Sequence, residues 1–340
     1  MRFSNIITCV DVHTAGEPVR VVTSGFPPIR GDTMLERRRY VMENLNHVRR
    51  MIMREPRGHD AMYGALLTPP VTEDGDVGVL FIDNGGMGTM CGHGTIGVSK
   101  ALFDTGARPA QEGFNYLKID TPAGRVTSKV EFRGGAVRSV SFRNVPAFLY
   151  KSGVKVPVRG VGEVSVDISF GGAFYIFADA DSLGLRVEPS QSAACAEVAM
   201  EIREWVSANV PVVHPLEPGI DWVYGTIIVT PPEVRGERVV TRNVCVFGEC
   251  EVDRSPCGTG TCARMAQLRA RGVLKPGMTL ENHSIIDTVF EGVIEEETSA
   301  AGIDAIVPSI SGMAYIMGFN QLVLEPDDPL PEGFRMGAAD

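Results

Sequence analysis

A seven-residue motif occurs twice in this chain, and that repetition constrains the fold more than any other feature. CGHGTIG begins at Cys91 and CGTGTCA begins at Cys257, so a cysteine, two glycines and a threonine recur at the same offsets, 166 residues apart in a chain of 340. The likeness continues downstream: Leu102 and Leu268 each lie eleven residues after their cysteine, and Gly106 and Gly272 fifteen after. Each copy reads as a cysteine and a Gly-rich turn opening a helix of about four turns that a glycine closes. A cysteine duplicated at a helix N-terminus places two equivalent thiols on opposite sides of one site. An enzyme that must both remove and supply a proton needs that arrangement.

The pattern around the motifs repeats as well. Alternating or β-branched runs predict strands at about 5–12, 18–24, 62–68, 77–83, 115–120 and 125–132 in the first half. A helix is expected over 34–53, opened by a Thr33–Glu36 capping box and carrying a stripe of Met34, Val41, Leu45, Val48 and Ile52. The first cysteine helix, 92–105, follows. The second half has the same order: strands at 163–170 and 173–178, a helix at 191–208, strands at 222–230 and 238–247, then the second cysteine helix at 258–271. Two homologous α/β (α+β) halves, 1–150 and 151–310, with a cleft between them, are therefore expected. Lys151–Val161 is the candidate linker, a strand within 310–330 is expected to return to the first half, and 326–340 reads as a loosely ordered tail.

Length and charge narrow the function. The chain suits two domains of roughly 150 residues each. A net charge of −10 argues against a nucleic-acid polyanion or an acidic membrane surface as partner. No apolar run approaches the ~18–20 residues of a membrane span, and MRFSNIITCVDVH turns polar too early for a signal peptide, so a cytoplasmic location is expected. The seven cysteines form no CxxC pair and no zinc-spaced cluster, which predicts reduced thiols. Cys9, Cys195 and Cys245 read as core residues and Cys250 as an exposed bystander. There is no HExxH, no phosphate-loop lysine and no PLP-type pattern, so neither metal nor cofactor is expected.

A thiol at a helix start feels unpaired N–H groups and the positive end of the helix dipole, which pull its pKa from about 8.5 toward neutrality. The same N–H groups bind carboxylates. Two such starts in one cleft could hold a carboxylate and set one sulfur on each face of its α-carbon. A thiolate would then remove the α-proton while a thiol supplies one from the other side, each contributing about 10²–10⁴-fold. The N–H groups would stabilise the charge that develops on the carboxylate. A thiol hydrolase needs one cysteine and a histidine base, which leaves the duplication unexplained.

MCGHGTIG (90–97) and DRSPCGTGTCAR (253–264) resemble the two motifs of the proline racemase family. DVHTAGEP (11–18) and EPRGHDAMYGALL (55–67) are also similar to that family, and the likeness spans essentially the whole chain. The resemblance implies a diaminopimelate-epimerase-like fold, in which two pseudo-symmetric halves each wrap a curved, mostly antiparallel sheet around a central helix. It also implies a cofactor-free site between them, a free imino acid as substrate, and a homodimer. Carried over residue by residue, it makes Cys91 and Cys257 the acid/base pair. The N–H groups of Gly92, His93, Gly258 and Thr259 hold the carboxylate, and Asp253 with the His93 imidazole takes the ring nitrogen.

Tyr63 and Phe247 occupy positions that contact the substrate ring in the family. Phe247 suits unsubstituted proline, whereas the Tyr63 phenol could meet a ring hydroxyl. His13, Glu17, Arg57, His59 and Asp60 are the other polar residues in family-like segments, and Arg57, His59 and Asp60, near Tyr63, are read as pocket scaffolding. His47 is read as solvated on the polar side of the first helix, while His214 and His283 offer no constellation. The expected activity is hydroxyproline 2-epimerase or proline racemase. A trans-3-hydroxyproline dehydratase is the first alternative, disfavoured because such members generally lack one of the cysteines. An inactive amino-acid-binding relative is the second.

Overall fold

The computed structural model describes residues 3–336. Parallel strand neighbours need a crossover connection, most often a helix. Here that requirement explains where the helices lie. The first half runs Asn5–Thr14, Glu17–Ser24, Tyr63–Thr68, Val77–Asp83, Gly113–Thr121, Gly124–Arg133 and Ala136–Arg143. Successive neighbours pair antiparallel, parallel, antiparallel, parallel, antiparallel and antiparallel. The second half runs Gly162–Phe170, Phe174–Asp179, Val223–Val229, Arg238–Phe247, Thr279–His283, Val289–Ala300 and Ile303–Gly312, with the same alternation. The expected fold class is what the molecule has: two pseudo-symmetric α+β halves.

Each parallel pair is bridged by helix. In the first half, α1 (Met34–Asn44) and α2 (Asn46–Met53) span one crossover and α3 (Gly92–Asp104) the other. In the second, α4 (Ser192–Asn209) and α5 (Gly258–Ala270) do the same. The cysteine helices are enclosed by their sheets: every residue of α3 from Gly92 to Phe103 and of α5 from Gly258 to Leu268 is buried. A helix hidden on all sides has no polar face to keep wet. Of the charges that remain, Lys100 pairs with Asp104 at 2.5 Å, while Arg264 donates to Gln267 Oε1 at 2.5 Å and to the Thr230 carbonyl at 3.3 Å.

The halves exchange their last strands. Ala147–Val158 leaves the first half and pairs with Gly162–Phe170 of the second, while Ala314–Leu324 returns to pair with Asn5–Thr14. Ile303–Gly312 joins the halves by pairing with both Ala136–Arg143 and Ala147–Val158. Lys151–Val161, expected as a linker, is thus mostly strand.

Two further differences from the sequence reading are local. The helix expected over 34–53 breaks at Leu45, whose φ of −124° and ψ of 13° end α1. Asn44 and Asn46 flank the break, and asparagine favours caps and turns over helix interiors. The capping box forms as expected, with the Glu36 N–H donating to Thr33 Oγ1 at 3.1 Å and the Thr33 N–H to Glu36 Oε2 at 3.2 Å. The tail is pinned as far as Arg335: Arg57 pairs with Asp328, Arg50 with Glu332, and Arg335 with Glu249. Residues 337–340 of that segment lie outside the described residues. Among the described residues no helix is long and apolar enough to cross a membrane.

Candidate active site

α3 and α5 meet start to start. A Cβ added to Gly92 would lie 2.5 Å from the Cα of Gly258, and one added to Gly258 would lie 2.4 Å from the Cα of Gly92. Only glycine allows that approach, which explains the residue after each cysteine. The second glycine of each motif leaves room for an apolar neighbour and for the sulfur: a Cβ on Gly94 would lie 2.7 Å from Phe81 Cε1 and 3.1 Å from Cys91 Sγ, and one on Gly260 2.4 Å from Ile227 Cδ1 and 2.8 Å from Cys257 Sγ. The motif repeats because both helix starts face the same steric demands.

Each cysteine is the N-cap of its helix. Cys91 sits in extended backbone, and its sulfur accepts the Gly94 N–H at 3.2 Å, with His93 Nδ1 also at 3.2 Å. Cys257 has φ +62° and makes no side-chain cap bond. Its positive-φ backbone, with ψ at 106°, lies in a sparsely populated region that costs on the order of 1–3 kcal/mol and is held by a polar clamp on the preceding loop. Asn243 and Asn282 donate to the Pro256 carbonyl at 2.9 and 3.2 Å, and the Cys257 N–H donates to Ser255 Oγ at 3.1 Å.

Both cysteines line one buried pocket. Tyr63, His93, Phe247, Asp253 and Thr259, all expected from the sequence, are there with them, while Gly92 and Gly258 form the junction of the helices beside it. Met90, Tyr175 and Tyr224 also line it and were not expected. The aromatic wall is continuous: Tyr63 packs on His93 at 4.6 Å and on Phe247 at 5.9 Å, and Phe247 stacks on Tyr224 at 5.4 Å. The space left is about 10 Å³, room for about one water. This is a closed site.

Its electrostatics follow from burial. Burial pushes the Cys91 thiol up, with the Tyr63 hydroxyl and the Gly94 N–H pulling the other way. Burial, and the nearby Arg254 charge, hold His93 down at about 3, so its imidazole is neutral. Asp253 is raised to about 6 by burial, against the Ser255 N–H that donates to its Oδ1 at 2.7 Å. Arg254 does not pair with its neighbour Asp253. Its Nε lies 3.0 Å from Glu17 Oε2 and its backbone N–H donates there at 2.8 Å. Glu17 is pushed well up, first by burial and then by Asp253, so the two carboxyls resist ionising together.

The remaining polar candidates divide. Glu17 abuts the pocket through Asp253. His13 stacks on Tyr315 and accepts a turn N–H, Arg57 anchors the tail, and Asp60 faces Arg335. His214 packs among Phe148, Phe170 and Phe174, and His283 pairs with Glu281 and Asp287. Cys9, Cys195 and Cys245 are buried and Cys250 is exposed. Among the described residues no group of three or more His, Cys, Asp or Glu is placed to hold a metal ion.

The proline racemase family model matches residues 9–335. The chain belongs to the proline racemase family. It is 45% identical over 334 residues to a proline racemase of Clostridioides difficile, covering 98% of this chain and 99% of that one. It is also 44% identical over 338 residues to a trans-3-hydroxy-L-proline dehydratase of Bacillus thuringiensis subsp. konkukian, covering 99% and 100%. Among solved structures, a hydroxyproline epimerase from Agrobacterium vitis with bound trans-4-hydroxy-L-proline superposes with a TM-score of 0.93 at 30% identity, covering 98% and 96%. Family members thus include racemases, epimerases and a dehydratase, all named for chemistry on proline or hydroxyproline.

Proposed function

We propose that this chain inverts the α-carbon of free proline or hydroxyproline without a cofactor, with Cys91 and Cys257 as a two-base pair. The observation that carries this reading is the apposition of the two helix starts: Gly92 touches Gly258, and both cysteines line one pocket. The substrate carboxylate would accept from the first-turn N–H groups of Gly92, His93, Gly258 and Thr259, which, as at any helix start, lack intrahelical acceptors. Asp253 and neutral His93 would take the ring nitrogen. One sulfur, as thiolate, takes the α-proton; the electron pair spreads into the carboxylate; the other sulfur gives its proton to the opposite face. The cysteines end with their protonation states exchanged.

A pocket of about 10 Å³ cannot admit a five-membered ring, so binding needs the walls to part. Closure then excludes water from the thiolate and strengthens every polar contact within. A second reading, dehydration of trans-3-hydroxyproline, is favoured by the 44% identical relative. That reaction needs one face deprotonated, and Cys257 has no evident task in it. We also infer a homodimer acting in the cytoplasm.

The test is to incubate the enzyme with L-proline and with each hydroxyproline isomer in D₂O, following optical rotation and α-proton exchange. Inversion with one deuterium gained per event supports the reading. Loss of water from the 3-hydroxy isomer to give a cyclic enamine that tautomerises to the ring imine, without inversion of any substrate, would replace it with dehydration.

A further inference from the structure

We propose that Tyr175 is a positioning residue that, oriented by Thr259, sets the protonation state of Cys257. The inference rests on the two-thiol reading above and extends it to a residue outside both motifs.

The argument starts from an inequality. Cys91 has a backbone donor, Gly94 N–H, the Tyr63 hydroxyl, and an imidazole, His93, two positions after it. Cys257 has no cap bond, and the residue two positions after it is Thr259, whose side chain is too short to replace an imidazole. A second hydroxyl fills the distance. Tyr175, in the strand Phe174–Asp179, is fully buried; its hydroxyl lies 2.7 Å from Thr259 Oγ1 and accepts from the Cys257 thiol at 3.7 Å. Two hydroxyls in series thus stand where one imidazole stands in the other half.

Hydroxyl hydrogens rotate, so this pair meets both states of the sulfur without moving a heavy atom. With Cys257 as thiol, S–H donates to the Tyr175 oxygen and the phenol donates to Thr259. With Cys257 as thiolate, the Thr259 hydroxyl donates to Tyr175 and the phenol donates to sulfur. Burial drives the phenol well above its ordinary value, so it keeps the proton it must donate. The other titratable groups facing Cys257 are Asp253 on its own loop and Cys245 on the strand behind, both hydrogen-bonded to it, with Cys262 on α5 and Cys91 across the pocket. Arg254 and Glu17 lie beyond Asp253, with Arg254 Nε 3.0 Å from Glu17 Oε2.

The experiment is alkylation by iodoacetamide across pH, with Cys257 and Cys91 peptides quantified separately by mass spectrometry in wild type and Tyr175→Phe. Losing a hydrogen bond to a charged sulfur should raise the Cys257 labelling midpoint by about one pH unit and leave Cys91 unchanged. Thr259→Val, which removes only the orienting hydroxyl, should move it in the same direction by less, and serves if Tyr175→Phe does not fold. An unchanged Cys257 midpoint, or an equal shift at both cysteines, overturns the proposal. Labelling needs no turnover, so this outcome stands apart from α-proton exchange, which tests the reaction itself.

Discussion

Two helix starts that share one sequence motif are not held alike. Gly92 and Gly258 are reciprocal, each filling the space a Cβ of the other would need. The cysteines beside them differ: Cys91 is extended, capped and next to an imidazole and the Tyr63 phenol, whereas Cys257 has a positive φ, is uncapped and lies next to two hydroxyls in series. Duplication kept the part of the motif that steric contact enforces. It released the part that only tunes a sulfur. A repeat in sequence therefore guarantees matching backbone approach, and the chemistry of each copy has to be read from its own neighbours.

The largest effect is expected where the halves must act together. Cys91→Ser and Cys257→Ser should each lower inversion by at least about 10²–10⁴-fold, because each removes one positioned acid/base with no spare. Far-ultraviolet circular dichroism should be unchanged, since serine is smaller. Polarimetry provides the check. If either variant kept more than a few per cent of inversion, the two-base assignment would fail. Residual α-proton exchange without inversion in only one variant would sharpen the comparison by showing which sulfur works alone.

Gly92→Ala and Gly258→Ala test the part that is alike. Each Cβ would sit 2.4–2.5 Å from the facing Cα, so the helix starts must separate. A displacement of about 1 Å can cost on the order of 10²-fold, and kcat/KM should fall by that order, and similarly, in both. Equal wild-type activity in one variant would mean that the helices do not meet this closely during turnover.

Asp253→Asn probes the second helix start alone. Asp253 moves from an ordinary 3.8 to about 6 on folding. A raised carboxyl favours the protonated fold, so its contribution is fully present below about 3.8 and is lost as pH rises through about 6. Glu17, displaced in the same direction, acts with it. Thermal melting should therefore show Asp253→Asn gaining on wild type between pH 4 and pH 6 and holding that gain above. A difference that does not vary with pH would mean Asp253 is ionised throughout.

The motif helices were legible because glycine spacing, a capping cysteine and a closing glycine are all local. Both end within a residue of the expected positions, at Asp104 and Ala270. The pairing of the halves was legible because strand and helix runs recur in order. The break at Leu45 was not, since Met34, Val41, Leu45, Val48 and Ile52 keep one apolar stripe straight through it. Tyr175 was missed for a different reason. It lies 82 residues from Cys257 in an ordinary buried strand, and only the parallel crossover through α4 and the following strands brings it to the sulfur. Tyr224 was missed likewise, although its hydroxyl reaches across the cleft to Asp83 Oδ2 at 3.1 Å. Polar groups recruited by tertiary pairing leave no spacing to read.

The smallest expected effect concerns the wall shared by the two halves. Tyr63 comes from the first half and Phe247 from the second, and their rings meet edge to face at 5.9 Å. Tyr63→Phe should shift preference from hydroxyproline toward proline. A net hydrogen bond of about 0.5–1.5 kcal/mol corresponds to roughly 2–13-fold in the ratio of kcat/KM values. The sign matters more than the size, because Phe247 gives either ring the same apolar surface. The Tyr63 hydroxyl also touches the Cys91 thiol and Tyr224, so the variant could change both substrates together instead of their ratio. Measuring kcat/KM for both substrates in wild type and variant separates the two roles. A changed ratio assigns the phenol to the ring hydroxyl. An unchanged ratio with both values lowered assigns it to Cys91, making it the first half's counterpart of Tyr175 and leaving proline racemisation as the better reading of the site.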